Sequence, residues 1–286
     1  MEPTLLQILL LGLVQGAAEL LPVSSSAHVI VAEKLMGLDP SSPSMTFLLV
    51  MLHTGTMVAV IAYFWKAWAK TFFSSKENLR LTILHVGTAT LATLVVGFAL
   101  KLIIEKIFMH GSSKDEIEDL FGHLPLVGSA LLAAGILIVG SGLFRRRNNG
   151  GELGLISSLW IGVSQGFCLP FRGLSRSGTT ISVGLLQGIN RQRLEEFSFA
   201  LAVVITPPAV AKEFLRLLRS HAETASPHHL LHLLGPGFFG MIAAFVAGLL
   251  ALKLLSSWLE KGHWAWFGYY CIAFSGLVFF LASRGF

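Results

Sequence analysis

Charge is what this sequence has least of. Asp, Glu, Lys and Arg make up only 13% of it against 53% hydrophobic residues, and the mean hydropathy of +0.71 lies far above that of a soluble globular chain. The small basic surplus, 21 Lys and Arg against 16 Asp and Glu, bears on the sidedness of loops, since cytoplasmic loops retain Lys and Arg. It does not point to nucleic acid. Cysteine is scarce as well. Cys168 and Cys271 each stand in an apolar segment without a second thiol or His at ligand spacing, which leaves no zinc or disulfide framework and points to packing. A basic leader with a small-residue cleavage site is also missing, so no removed signal peptide is expected.

What is present in quantity is long apolar runs. Segments of about 18 to 22 residues recur, each able to cross a hydrocarbon core of about 30 Å at about 1.5 Å per residue. The expected fold class is therefore an all-α polytopic membrane protein. Residues 4–21 form an apolar helix with Gly12 and Gly16 four apart, a stripe that lets another helix come close. After a break at Pro22, the run from Ala27 to Gly37 is too short to span. The pair predicts a re-entrant hairpin over 4–37 with its polar tip shielded by protein. Spans follow at about 45–65, 81–104 and 124–143.

After a polar, Gly-rich stretch at 148–153 the pattern restarts. Gly162, Gln165 and Gly166 stand 150 positions after Gly12, Gln15 and Gly16; Ser175 stands 150 after Ser25, and Thr206 150 after Thr56. The second copy predicts a hairpin over 154–189 and spans at about 196–215, 234–255 and 264–283. Each copy, 1–147 and 148–286, holds a hairpin plus three spans, an odd number of crossings, so the two are expected to be inverted repeats of one membrane domain. Lys66, Lys70, Lys76 and Arg80, then Arg145, Arg146 and Arg147, mark cytoplasmic ends, and Glu105, Asp115, Glu116, Glu118 and Asp119 an external loop. By that count the first hairpin enters from outside. The loop 216–232, with Arg219, His221, His228 and His229, comes out external against the charge rule.

Opposed hairpins should bring their tips together. The first tip follows Gln15 and Glu19, one helical turn apart, and carries Ser24, Ser25, Ser26 and His28. The second reads Arg-Gly-Leu-Ser-Arg-Ser-Gly-Thr-Thr over 172–180. Arg176 and Arg172, the hydroxyls of Ser175, Ser177 and Thr180, the close backbone that Gly173 permits, and the N–H groups of the following helix make a phosphate cradle in composition. Ionisable groups at membrane depth are costly and read as a site. A carboxylate beside a His can orient it, hold a divalent cation or act as base, and a Ser near such a base can be a nucleophile. Together these residues serve phosphoryl transfer, with Ser25, His28 and water all open as nucleophile. His53 and His85 are expected as core histidines, Glu195 and Glu196 as helix-dipole partners, and Trp258, Trp264, Trp266, Tyr269 and Tyr270 as an interface belt.

With those residues in place, the sequence resembles the bacterial undecaprenyl-pyrophosphate phosphatases, integral-membrane enzymes tied to bacitracin resistance. The family's Glu-or-Gln-x-x-x-Glu motif looks matched by Gln15 and Glu19, running on into Leu-Pro-Val-Ser-Ser and His28. Its Pro-Gly-x-Ser-Arg-Ser-x-x-Thr motif looks matched by Gly173, Ser175, Arg176, Ser177 and Thr180. The resemblance implies removal of the terminal phosphate from a C55 polyprenyl diphosphate at the outer side of the bacterial cytoplasmic membrane, recycling carrier lipid for cell-wall synthesis. A divalent cation, Mg or Ca, is implied as cofactor with Glu19 as its candidate ligand. The implied partners are the lipid substrate and membrane lipids, with a homodimer as one oligomeric option. Two departures stand out: Arg172 takes the place of the motif's Pro, and Gln15 offers an amide where the other variant has a second carboxylate. The rival functions for such an architecture are a lipid-phosphate flippase or transporter and an anion channel.

Overall fold

The structure, a computed structural model, describes residues 3–39, 42–108, 123–144, 150–221 and 227–285. Those residues form ten helices: α1 Leu5–Leu20, α2 Ser25–Leu35, α3 Pro43–Thr71, α4 Lys76–Phe108, α5 Leu124–Leu143, α6 Leu155–Cys168, α7 Arg176–Leu186, α8 Arg191–His221, α9 Pro227–Glu260 and α10 Trp264–Ser283. Two short helices followed by three long ones occur twice. Five are long and apolar enough to cross a membrane, Met45–Thr71, Lys76–Lys106, Leu124–Leu143, Leu234–Glu260 and Trp264–Ser283. The chain is a multi-pass membrane protein. Ile83, Leu91, Leu94, Val95 and Phe98 on α4 are each more than half exposed, an apolar face that water would penalise and lipid does not.

The helices outrun the expected spans because hydropathy senses the hydrocarbon and not the helix. Lys66 and Lys70 belong to α3, and Lys76 and Arg80 to α4, so the expected loop shrinks to the turn at 72–75. Lys and Arg are good helix formers whose stems lie along apolar surface. The same holds at 216–232, expected as a loop: α8 runs on to His221 and α9 begins at Pro227. The sixth expected span, 196–215, lies within α8, which continues through Pro207 and Pro208 and is not one of the five apolar spans. Arg145 to Arg147 and Asp115 to Asp119 lie outside the described residues.

Each short pair returns to where it started. Thr4 caps α1 in a capping box with Gln7, and the Gln7 amide donates to Met36 O at 3.3 Å, tying the start of α1 to the end of α2. In the second pair Gly151 N donates to Gly188 O and Asn190 N to Gly151 O, at 3.2 and 3.0 Å. The short helices then dock on the long ones through glycine. A Cβ on Gly12 or Gly16 would stand 2.6 or 2.4 Å from Gly240 O or Ala244 O on α9, and one on Gly162 would stand 2.2 Å from Ala89 O on α4. Backbones this close leave no room for a side chain. The first helix of each set thus packs on the fourth of the other.

Candidate active site

Both hairpins break where their sequences forbid helix. In the first, Leu21 is extended ahead of Pro22, and Ser24 takes a φ of 68°, a left-handed conformation found at no other non-Gly residue among those described. Such a conformation costs on the order of 1–3 kcal/mol unless its surroundings fix it. In the second, Gly173 has φ 116° and its absent Cβ would meet Val127 O at 2.4 Å. Ser175 then caps α7, its hydroxyl accepting from Gly178 N at 3.2 Å.

The two tips meet at Glu19. Arg176 Nη2 donates to Glu19 Oε1 at 2.9 Å, both side chains mostly withdrawn from solvent. The Ser25 hydroxyl donates to Glu19 Oε2, and the Gln15 amide, from a residue 1% exposed, reaches the same oxygen at 3.4 Å. The other end of the Arg176 fork, Nη1, is buried without a hydrogen-bond partner. Ser177 Oγ lies 3.5 Å from Leu21 O, a second contact between the tips. Glu19 and Arg176 open into a small cleft between α3 and α8, with Thr56 and Thr206 on it and apolar walls from Leu20, Val60 and Val203.

Other expected residues lie elsewhere. Thr180 turns its hydroxyl to Arg176 O and to Ser198 Oγ, at 2.9 and 2.6 Å, and so joins α7 to α8. Arg172 is exposed and acts electrostatically on Glu33 of α2, while Ser24 is buried and Ser26 half-buried. His28 faces α10: Nδ1 contacts Ser24 O at 2.8 Å, Nε2 contacts Tyr270 Oη at 2.7 Å, and the ring stacks on Phe274. The imidazole beside Glu19 is instead that of His53, with Nε2 4.0 Å from Oε2.

The closeness of His53 to Glu19 is not legible in sequence, because one His in an apolar span carries no local signal. Its turn neighbour Thr56, one of the residues repeated at the 150 offset, was the available hint. The aromatic belt also divides. Trp264 is 2% exposed and donates to Ser141 Oγ at 2.9 Å, so it is a core residue, whereas Trp266 and Tyr269 remain exposed. Glu195 and Glu196 are buried and bonded to Ser256 and Thr71. Cys168 and Cys271 are both free.

A polar tip made from two hairpins, with a carboxylate, a guanidinium and a hydroxyl over an apolar cleft, is the arrangement to compare with known proteins. The family model described as bacitracin resistance protein BacA matches residues 8–277. The chain belongs to this family. Among curated members, the undecaprenyl-diphosphatase 2 of Acinetobacter baylyi is 56% identical over 280 residues, covering 97% of this chain and 98% of that protein. The undecaprenyl-diphosphatase of Acidiphilium cryptum is 34% identical over 301 residues, covering 96% and 97%.

Among the described residues at the tips, the divalent cation implied by the sequence motifs has one candidate carboxylate, Glu19. Among the described residues no three His, Cys, Asp or Glu side chains gather, and the oxygens of Glu19 already face Arg176 and Ser25. A Mg ion at such a site takes one or two carboxylates and draws its other oxygens from substrate phosphate and water, so Glu19 is the residue that would hold it.

Proposed function

We propose that this chain is a membrane phosphatase that hydrolyses undecaprenyl diphosphate to the monophosphate and inorganic phosphate. The observation that carries the reading is the Glu19–Arg176 pair at 2.9 Å with Ser25 on the same carboxylate. Dephosphorylation requires a base next to a nucleophile and a cation next to the transferred group, in a site kept from bulk water. The unpartnered Nη1 of Arg176 supports a phosphate oxygen as its partner in the complex, and the apolar walls of the cleft support a prenyl chain beside it.

In this proposal Glu19 accepts the proton of the attacking hydroxyl. The Ser25 to Glu19 hydrogen bond favours serine: Oγ bonds the terminal phosphorus as the bond to the bridging oxygen breaks, the lipid monophosphate departs, and water later releases phosphate from the serine. If water attacks directly, Glu19 takes its proton instead. The glycine docking of α1 on α9 and of α6 on α4 supports two copies with opposite orientation in a bacterial cytoplasmic membrane. The lysines beside the α3–α4 turn support an outward-facing site. Every group named comes from a single chain, so a dimer would serve something other than completing the site.

The test is phosphate release from undecaprenyl diphosphate by the purified full chain in detergent, which separates hydrolysis from transport because no second compartment exists. Release that falls by about two orders of magnitude or more in Glu19→Ala and Arg176→Ala is expected. Equal rates in all three proteins would overturn the reading. Radiolabelled phosphate retained on wild-type protein and lost in Ser25→Ala assigns the nucleophile to serine.

A further inference from the structure

We infer that Tyr270, on the last helix, is a positioning residue for the hydrolytic site, acting through His28 on the backbone that carries Ser25. The inference rests on the reading of Glu19, Arg176 and Ser25 as the reacting centre.

His28 Nδ1 lies 2.8 Å from Ser24 O, and a carbonyl oxygen only accepts, so Nδ1 carries hydrogen. In the neutral ring Nε2 is then an acceptor, and the group 2.7 Å from it is the Tyr270 hydroxyl, which donates. One hydroxyl, one imidazole and one carbonyl form a directed chain, Tyr270 to His28 to Ser24. The rings also lie parallel: His28 and Phe274 are 4.0 Å apart at 4°, and Tyr270 and Phe274 5.9 Å apart at 9°. Tyr270 and Phe274, one turn apart on α10, hold the imidazole by its edge and its face.

The end of this chain matters because of what Ser24 is. It is the residue with φ 68°, and its carbonyl receives both the His28 ring and the His28 backbone N–H, the latter at 3.4 Å. Left-handed backbone at a residue with a Cβ persists only where neighbours determine it. Ser25, the next residue, aims its hydroxyl at Glu19. Loss of the Tyr270 hydroxyl frees the imidazole to rotate, releases the Ser24 carbonyl and widens the distribution of Ser25 Oγ positions. On this account His28 stabilises the tip, and the imidazole beside the carboxylate is that of His53.

The test uses the full chain in detergent micelles with ¹⁵N-labelled histidine, the His28 signals being assigned by their loss in His28→Asn. Wild type is expected to show one fixed tautomer with hydrogen on Nδ1, and Tyr270→Phe to show exchange between tautomers. Tyr270→Phe is expected to lower kcat for lipid diphosphate about fivefold to twentyfold with KM within about twofold, since it acts on a reacting group's placement. In a His28→Ala background the same change is expected to have no further effect. Phe274→Leu, which removes the stack and leaves the hydroxyl, provides an intermediate case. Unchanged His28 resonances in Tyr270→Phe, or losses that multiply in the double variant, would overturn the inference. A chain that releases no phosphate defeats the functional reading alone, because the tautomer measurement stands without activity.

Discussion

Arg176 Nη2 stands 2.9 Å from Glu19 Oε1 across 157 residues of sequence, each charge brought by a different hairpin. Neither hairpin buries its own charge without the other: α1 presents an acid beside Pro22, and α7 begins on a base. The pair is therefore the lock between the two hairpins and, in the proposed reading, the centre of the chemistry. Buried ion pairs behave asymmetrically, since losing one partner strands the other, whereas replacing both with apolar groups restores packing.

That asymmetry gives a stability prediction separable from activity. Glu19→Leu and Arg176→Met each lower unfolding stability by about 3 kcal/mol, while the double variant regains most of the loss and stays inactive. Thermal unfolding in detergent, followed beside phosphate release, checks both. A double variant no more stable than the singles counts against the pair as the lock.

His53 is the second case. Its Nδ1 lies 2.8 Å from Leu49 O, which fixes the ring with Nε2 toward Glu19. His53→Ala is expected to lower kcat about tenfold or more, with His53→Gln, which keeps a polar group there, between Ala and wild type. An unaltered rate in His53→Ala would remove the residue from the site.

The contrast between His53 and His28 marks how far the sequence could be read. Glu19, Ser25 and Arg176 were legible because charge and hydroxyls in apolar surroundings have few other reasons to exist, and because Pro22 and Gly173 marked the breaks. Run length located the long helices and missed how far most of them extend: α5 and α10 span 124–143 and 264–283, whereas α3, α4, α8 and α9 run past their apolar segments. What stayed hidden depends on side-chain direction across helices. His28 lies three residues from Ser25 and was grouped with it, yet the turn of α2 carries it to α10. His53 is more than thirty residues from Glu19 and reaches it because α3 packs against α1. Trp264, counted among the aromatic belt, is drawn inward by Ser141, a partner no local pattern announces.

The docking glycines offer a prediction on assembly. Gly16→Ala and Gly162→Ala place a methyl 2.4 and 2.2 Å from a backbone oxygen, where no side chain can give way. Each is expected to cost about 1–3 kcal/mol, read as a lower unfolding midpoint, whereas Gly87→Ala, inside α4 with open space around it, is expected to hold or raise the midpoint. Equal midpoints in all three would contradict the close contacts between the sets.

The cleft between α3 and α8 makes the last prediction, on chain-length preference. Val60 and Val203 wall it beside the charged pair, so a larger side chain there obstructs a lipid tail without touching Glu19 or Arg176. Val203→Phe is expected to raise KM for the C55 diphosphate about tenfold, the scale of a blocked apolar contact, with kcat little altered. A diphosphate on a much shorter prenyl chain, which needs less of the wall, is expected to keep its KM within about threefold. If the two substrates lose equally, the tail takes another path and the cleft serves only the headgroup. If the long substrate alone is impaired, the route of the prenyl chain runs between α3 and α8, which places the hydrolytic centre at the inner end of a lipid-facing slot.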